Sequence, residues 1–286
     1  MQKKILLKLK GLSNLMRFDK PIGTLLLLWP TLTAFLVLTN GNPQMHLLLL
    51  FSIGTFLMRS AGCVINDFFD KDLDGKVERT KKRPLVTGEV LPNEALFLFL
   101  ILLILSATLL IWMNKLTLII ATIGALIACL YPLTKRFFSL PQIFLGFAFS
   151  WGIVMVSAAE LNTISNSALM MFAACFFWIL AYDTAYAMCD KEDDELIGIK
   201  SSALTFGENV KLFIFIFHSL SLIIWLFVGF LEDLGLLFFL SLFVALLLVF
   251  YQMYLIKDYD KQKCFQAFKS NNWIGILILL GAVLST

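Results

Sequence analysis

Residues 46–75 read HLLLLFSIGTFLMRSAGCVI and then, without a break, NDFFDKDLDG. The first twenty are apolar apart from His46, Arg59 and a few small polar residues, the length that crosses a hydrocarbon core of ~30 Å as a helix. The next ten carry Asp67, Asp70, Asp72 and Asp74. A membrane span that ends in a row of acids is the pattern from which the rest of the chain can be read. Comparable apolar runs occur at Pro21–Leu38, His46–Ile65, Ala95–Met113, Leu116–Leu133, Leu140–Ala159, Ala168–Ala187, Leu212–Leu231, Leu234–Ile256 and Trp273–Leu284. The last is short as drawn and is expected to begin earlier, around Phe265 to Ser270.

The bulk composition agrees with these runs. Of 286 residues, 59% are hydrophobic and only 15% charged, whereas soluble domains carry about 25% charged residues. Mean hydropathy is +0.86. A water-soluble globule, a disordered chain and a collagen-like rod are therefore excluded. The runs are continuous rather than alternating, which excludes a membrane β-barrel. The expected fold is all-α: a polytopic membrane protein with nine transmembrane helices in a bundle.

Charge sorting tests that count. With the N-terminus inside, 21 of the 23 basic residues fall on the cytoplasmic side, Lys115 falls outside and Arg59 lies within a span. The first 19 residues, with Lys3, Lys4, Lys8 and Lys10 and no small-residue cleavage site, read as an amphipathic helix on the membrane surface rather than a signal peptide. The lysines would face anionic headgroups. The substantial loops, about 66–93 and 183–211, are both cytoplasmic and acidic, which suggests a pseudo-repeat. A net charge of +3 gives no basic surface for nucleic acid. Five cysteines form no CxxC pair, and His46 and His218 stand apart from them, so neither a disulfide framework nor a zinc site is expected.

If the second span continues as helix, Asn66, Asp70 and Asp74 lie four residues apart with Asp67 three before Asp70, all on one face. A second set, Asp183, Asp190 and Asp194, also shares one face, and Asp183 lies inside an apolar run, where a carboxylate is costly unless paired or functional. One acidic loop could be a solvated face. Two at matching positions, both starting inside a span, point to hard cations that relieve carboxylate repulsion. Mg²⁺ prefers oxygen ligands and is usually held by one or two carboxylates together with a substrate phosphate. A calcium loop is excluded, because the twelfth position counted from Asp70 is Lys81 where a bidentate Glu is needed. Among the cations, Arg79, Lys81 and Lys82 read as topological. Arg83 before Pro84, and Lys135-Arg136 near a helix end, are better placed to meet phosphate. Arg59, one heptad deeper than Asn66, could pair with Asp183 or bind an anionic substrate group.

The string Asn66-Asp67-x-x-Asp70-x-x-x-Asp74 resembles the first signature of the UbiA superfamily of intramembrane prenyltransferases. Asp190-x-x-x-Asp194 resembles its second and Tyr131-x-x-x-Lys135 a shorter third. The flanking strings Arg17-Phe-Asp19-Lys20-Pro-Ile-Gly23, Met58-Arg59-Ser-Ala-Gly62-Cys63, Tyr182-Asp183-Thr184 and Ile197-Gly-Ile-Lys200-Ser201 are similar to the bacterial 4-hydroxybenzoate branch. The resemblance implies one transmembrane domain over residues 1–286, with a lipid-accessible central cavity capped by the acidic loops. It implies Mg²⁺-dependent transfer of a polyprenyl chain from its diphosphate to the ring of 4-hydroxybenzoate, ortho to the hydroxyl, in ubiquinone biosynthesis at the bacterial inner membrane. In these terms Asn66, Asp70, Asp74, Asp190 and Asp194 hold Mg²⁺ and diphosphate, with Asp67 supporting them. Arg59, Arg83, Tyr131, Lys135 and Arg136 bind substrate, and Asp183 or Asp190 accepts the phenolic proton. The alternatives are another acceptor (homogentisate, a naphthoate or haem) or, from a different class, an ion-coupled transporter.

Overall fold

Two helices are much longer than a bilayer requires, and they place everything that follows. In the computed structural model, which describes residues 2–75, 77, 79–134 and 137–286 (without the side chains of 2–5 and 131–133), the helices run α1 Gln2–Leu15, α2 Ile22–Leu38, α3 Met45–Asp74, α4 Pro84–Thr87, α5 Pro92–Leu109, α6 Lys115–Thr134, α7 Gln142–Leu161, α8 Asn166–Ile197, α9 Ser202–Phe206, α10 Val210–Leu231, α11 Leu236–Leu255 and α12 Lys261–Val283. At 1.5 Å per residue, the 30 residues of α3 and the 32 of α8 span about 45 and 48 Å. Each therefore carries roughly three turns beyond the hydrocarbon thickness. Those turns hold the acids. The segments 66–74 and 183–197, expected as the opening of loops, are thus helical to Asp74 and Ile197. Gly198, left-handed at φ 72°, ends α8 and donates its N–H to the Asp194 carbonyl.

Helix occupies each of the nine apolar stretches. Among the described residues, however, six helices are long and apolar enough to cross a membrane by length and composition: α3, α5, α7, α8, α11, and α10 with its preceding turns. The expected nine spans are therefore supported for six. Of the other three, α2 has 17 residues, α6 ends with Tyr131–Leu133, whose side chains lie outside the described residues, and α12 begins at Lys261 with charged and polar turns before its apolar half. That start is earlier than the one expected near Phe265.

The best-buried helix, α8, packs against α2, α7, α10 and α12. Its buried alanines at 168, 174, 181 and 185 let neighbouring backbones approach. Indole donors pin the bundle at its centre: Trp178 Nε1 on α8 donates to Asn271 Oδ1 at 2.9 Å, and Trp29 Nε1 on α2 donates to Asn272 Oδ1 at 2.8 Å. Gly275, one turn on, lies under both indoles, where a Cβ would meet Trp29 Cδ1 at 2.6 Å. On the opposite side α1 packs against α3 and α4, and Leu12, Leu15 and the following Met16 share one apolar cluster with Ala61, Val64 and Val90. Leu6, Leu7 and Leu9 are left exposed on α1. Its Lys8 side chain is partly exposed. It forms an ion pair with Glu94 and donates to the Glu89 carbonyl.

Candidate active site

Between the α3 group and the α7–α8 group lies a cavity of about 1430 Å³. Its mouth is ringed by Asn66, Asp67, Asp70, Asp74, Asp190 and Asp194, and its floor reaches Leu110 and Met113 at the far end of the bundle. Typical small-molecule pockets hold ~300–1,000 Å³, so this one suits a longer ligand. Because α3 and α8 overshoot on the same side, their acid-bearing turns meet across one opening. Asp70 and Asp190 both face it.

The α3 acids are held in a charged lattice. Asp67 is 1% exposed and accepts from Arg17 Nη2 on both carboxylate oxygens, at 2.8 and 2.7 Å. Arg83 Nη1 lies 2.9 Å from Asp67 Oδ1 and 2.6 Å from Asp74 Oδ2, tying two acids that are seven residues apart. Such charge-assisted contacts are the stronger class of hydrogen bond. Asn66 Nδ2 donates to Asp70 Oδ2 at 3.1 Å. Arg17 reaches Asp67 because the chain reverses just after α1, with Arg17 itself left-handed at φ 63°, a conformation unusual for a side-chain-bearing residue.

On the α8 side, Arg79 crosses the mouth from the loop after α3. Its Nε and Nη2 donate to the two Asp190 oxygens at 2.9 and 2.5 Å, Nη1 donates to the Tyr186 hydroxyl, and its guanidinium carbon stands 4.7 Å from the Tyr186 ring centre. Burial at the mouth opposes its charge, but Tyr186 and Asp190 outweigh burial and push its pKa above the ordinary guanidinium value. Arg79 is thus a site residue and not the merely topological cation expected from sequence. Four clustered cations in one loop give no sequence signal that singles it out.

Deeper, Arg59 stands 5.3 Å from the Phe149 ring centre. Gly23 on α2 gives it room: a Cβ there would lie 2.6 Å from Nη2 and 2.8 Å from Nε. Asp183 and Gln142 also line the cavity. The Tyr131 side chain, and Lys135 and Arg136 altogether, lie outside the described residues. Sequence reading missed Gln142 outright, gave Tyr186 no role, and met Arg17 and Gly23 only inside a longer string.

The donor set suits a hard cation: Asn66, Asp70, Asp74, Asp190 and Asp194 present oxygen to the mouth from two helix ends. Among the described residues no three acids converge on a single point. A cation here would therefore draw its remaining oxygens from a ligand lying between the helix ends.

Comparison with known proteins gives the same answer at every level. The model of the UbiA prenyltransferase family matches residues 27–276. A 4-hydroxybenzoate octaprenyltransferase of Vibrio vulnificus is 47% identical over 274 residues, 96% of each chain. One from Psychromonas ingrahamii is 48% identical over 271 residues, 95% of this chain and 94% of that one. Among solved structures, a UbiA homologue from Aeropyrum pernix superposes with a TM-score of 0.79 at 22% identity, covering 92% of this chain and 98% of its own. A homologue from Archaeoglobus fulgidus, solved bound to GPP and Mg²⁺, gives 0.73 at 18% identity over 96% and 99%. An all-helical bundle with two acidic helix ends over one long cavity, matched by this family across most of its length, belongs to the UbiA prenyltransferase family.

Proposed function

We propose that the chain, acting as one domain over residues 1–286, transfers a polyprenyl group from its diphosphate to the ring of 4-hydroxybenzoate, ortho to the hydroxyl, with Mg²⁺, in ubiquinone biosynthesis. The carrying observation is the meeting of the α3 and α8 acids, with Arg79 and Arg83 among them, over an apolar cavity too large for a small acceptor alone. Relatives at 44–48% identity that bear the 4-hydroxybenzoate octaprenyltransferase name support this acceptor over homogentisate, a naphthoate or haem.

In this reading Asn66, Asp70, Asp74, Asp190 and Asp194 hold Mg²⁺, which supplies positive charge to the departing diphosphate. Arg79 and Arg83 add fixed cations at the same mouth, and Lys135 and Arg136 are assigned to substrate phosphate from their place in the sequence. Asp67 keeps Arg17 and Arg83 in place. The allylic C–O bond breaks with its electron pair on the diphosphate, and a ring carbon of the acceptor forms the new C–C bond. Walls such as Phe149, Phe265 and Phe268 exclude water from the cationic carbon. Asp183 takes the phenolic proton as the ring attacks; the substituted carbon then gives its proton to the departed diphosphate as aromaticity returns, and Asp183 gives its proton back to the phenolate oxygen. Asp190, with both oxygens held by Arg79, belongs with the metal set. Arg59 and Tyr131 bind the acceptor, Arg59 at its carboxylate. The acidic end faces the cytoplasm of a bacterial inner membrane, since 21 of 23 basic residues sort to that side.

The test incubates purified protein with 4-hydroxybenzoate, a polyprenyl diphosphate and Mg²⁺ and follows prenylated product by mass spectrometry. EDTA, Asp70→Ala and Asp190→Ala are each expected to abolish turnover. Full activity in either variant refutes the metal assignment.

A further inference from the structure

At the acidic end of the bundle, but away from the cavity, lysines from three parts of the chain gather at one tyrosine. Tyr259 lies in the turn between α11 and α12, left-handed at φ 58°, and its hydroxyl donates to the Glu208 carbonyl at 3.3 Å. The Lys211 ammonium, from the first turn of α10, stands 4.6 Å from the Tyr259 ring centre. The Lys191 ammonium, from the extended end of α8, stands 5.8 Å from the same centre. Lys211 Nζ also donates to the Lys257 carbonyl at 3.1 Å, and the Lys257 ammonium stands 4.5 Å from the Tyr254 ring centre. None of these five residues lines the cavity.

Like charges drawn together repel, and a ring face at an exposed site returns only part of that cost. Other lysines at this end find acids: Lys8 pairs with Glu94, and Lys261 with Glu192 at 2.8 Å. Among the described residues no carboxylate lies within 4 Å of the Lys191 or Lys211 ammonium, and Asp258 stands 4.0 Å from Lys257 and is shared with Lys263 at 3.9 Å. The cluster therefore keeps an excess of positive charge that an anion would relieve. Beneath it, Leu247, Phe250, Tyr251 and Tyr254 recur at i, i+3, i+4 and i+7 on α11 and are all exposed, an apolar stripe leading from the lysines towards the hydrocarbon. Tyrosine at its upper end suits the boundary between headgroup and acyl chain.

We propose that Lys191, Lys211 and Lys257, gathered at Tyr259, hold the phosphodiester headgroup of an anionic phospholipid whose acyl chain lies along the α11 stripe. Basic clusters between helix ends recognise such headgroups. A choline headgroup would bring a fourth cation to the three lysines, and a free phosphate ion would leave the stripe unused.

The test is native mass spectrometry of the full chain in detergent, titrated with phosphatidylglycerol or with phosphatidylcholine of the same acyl chains. The wild type is expected to bind one phosphatidylglycerol about tenfold more tightly than phosphatidylcholine. Lys191→Gln/Lys211→Gln/Lys257→Gln should weaken phosphatidylglycerol by roughly 10- to 100-fold, since each basic residue near an anionic headgroup is worth a factor of about five, and should leave phosphatidylcholine unchanged. Lys211→Gln alone, about fivefold weaker, carries the test should the triple variant fold poorly. Tyr259→Asn tolerates the left-handed backbone and alters no charge, yet it frees the lysines, so affinity should still fall several-fold; a diffuse net-charge effect would not respond to it. Equal affinity of the wild type for the two lipids, or wild-type phosphatidylglycerol affinity in any of these folded variants, overturns the inference. Displacement of the lipid by inorganic phosphate beyond that by chloride at equal ionic strength would assign the cluster to a soluble anion and overturn it as well.

Discussion

Asp67→Asn should damage the protein more than any other single-atom exchange at the mouth. The side chain is 1% exposed and holds two guanidinium groups, Arg17 through both oxygens at 2.8 and 2.7 Å and Arg83 at 2.9 Å. Asparagine preserves the shape, removes the charge, and replaces one acceptor oxygen by a donor that faces the same cations. Breaking a fully buried pair costs about 3–5 kcal/mol, but the Arg17 and Arg83 side chains keep 21% and 18% exposure and Arg83 retains Asp74, which lowers the figure to about 2–3 kcal/mol. At roughly 2–4 °C per kcal/mol for a chain of this size, the melting temperature should fall by about 5–10 °C. The pair term is isolated by a double-mutant cycle with Arg17→Gln, measured by unfolding in mixed micelles. In the Asp67→Asn background, removing the Arg17 charge should be nearly free, giving a coupling of about 1.5–2 kcal/mol. Effects that add within ~0.5 kcal/mol would show that Arg17 and Asp67 are neighbours without being partners, and the lattice argument would fail.

Two further substitutions test the cavity itself. Gly23→Ala places a methyl 2.6 Å from Arg59 Nη2, so Arg59 must move; KM for 4-hydroxybenzoate should rise about tenfold with little change in KM for the diphosphate substrate. Gly124 lies against the Trp151 indole, whose Nε1 donates to the Ile120 carbonyl at 2.8 Å, and both line the cavity between α6 and α7. Gly124→Val should therefore narrow the channel, and turnover with long polyprenyl diphosphates should fall several-fold more than turnover with geranyl diphosphate. Equal loss for both chain lengths would remove the channel from this position.

Periodicity and charge sorting made the helices legible, because a bilayer forces every apolar run of the right length into helix. The acidic face of α3 was legible for the same reason: once the helix is granted, Asn66, Asp70 and Asp74 have nowhere else to point. Span counting was less secure where runs were short or mixed, as in α2 with its 17 residues and α12 with its polar first turns. Arg17 and Arg79 escaped because their roles depend on a loop path. A left-handed backbone at Arg17 and a reach across 111 positions from Arg79 to Asp190 leave no trace in residue spacing.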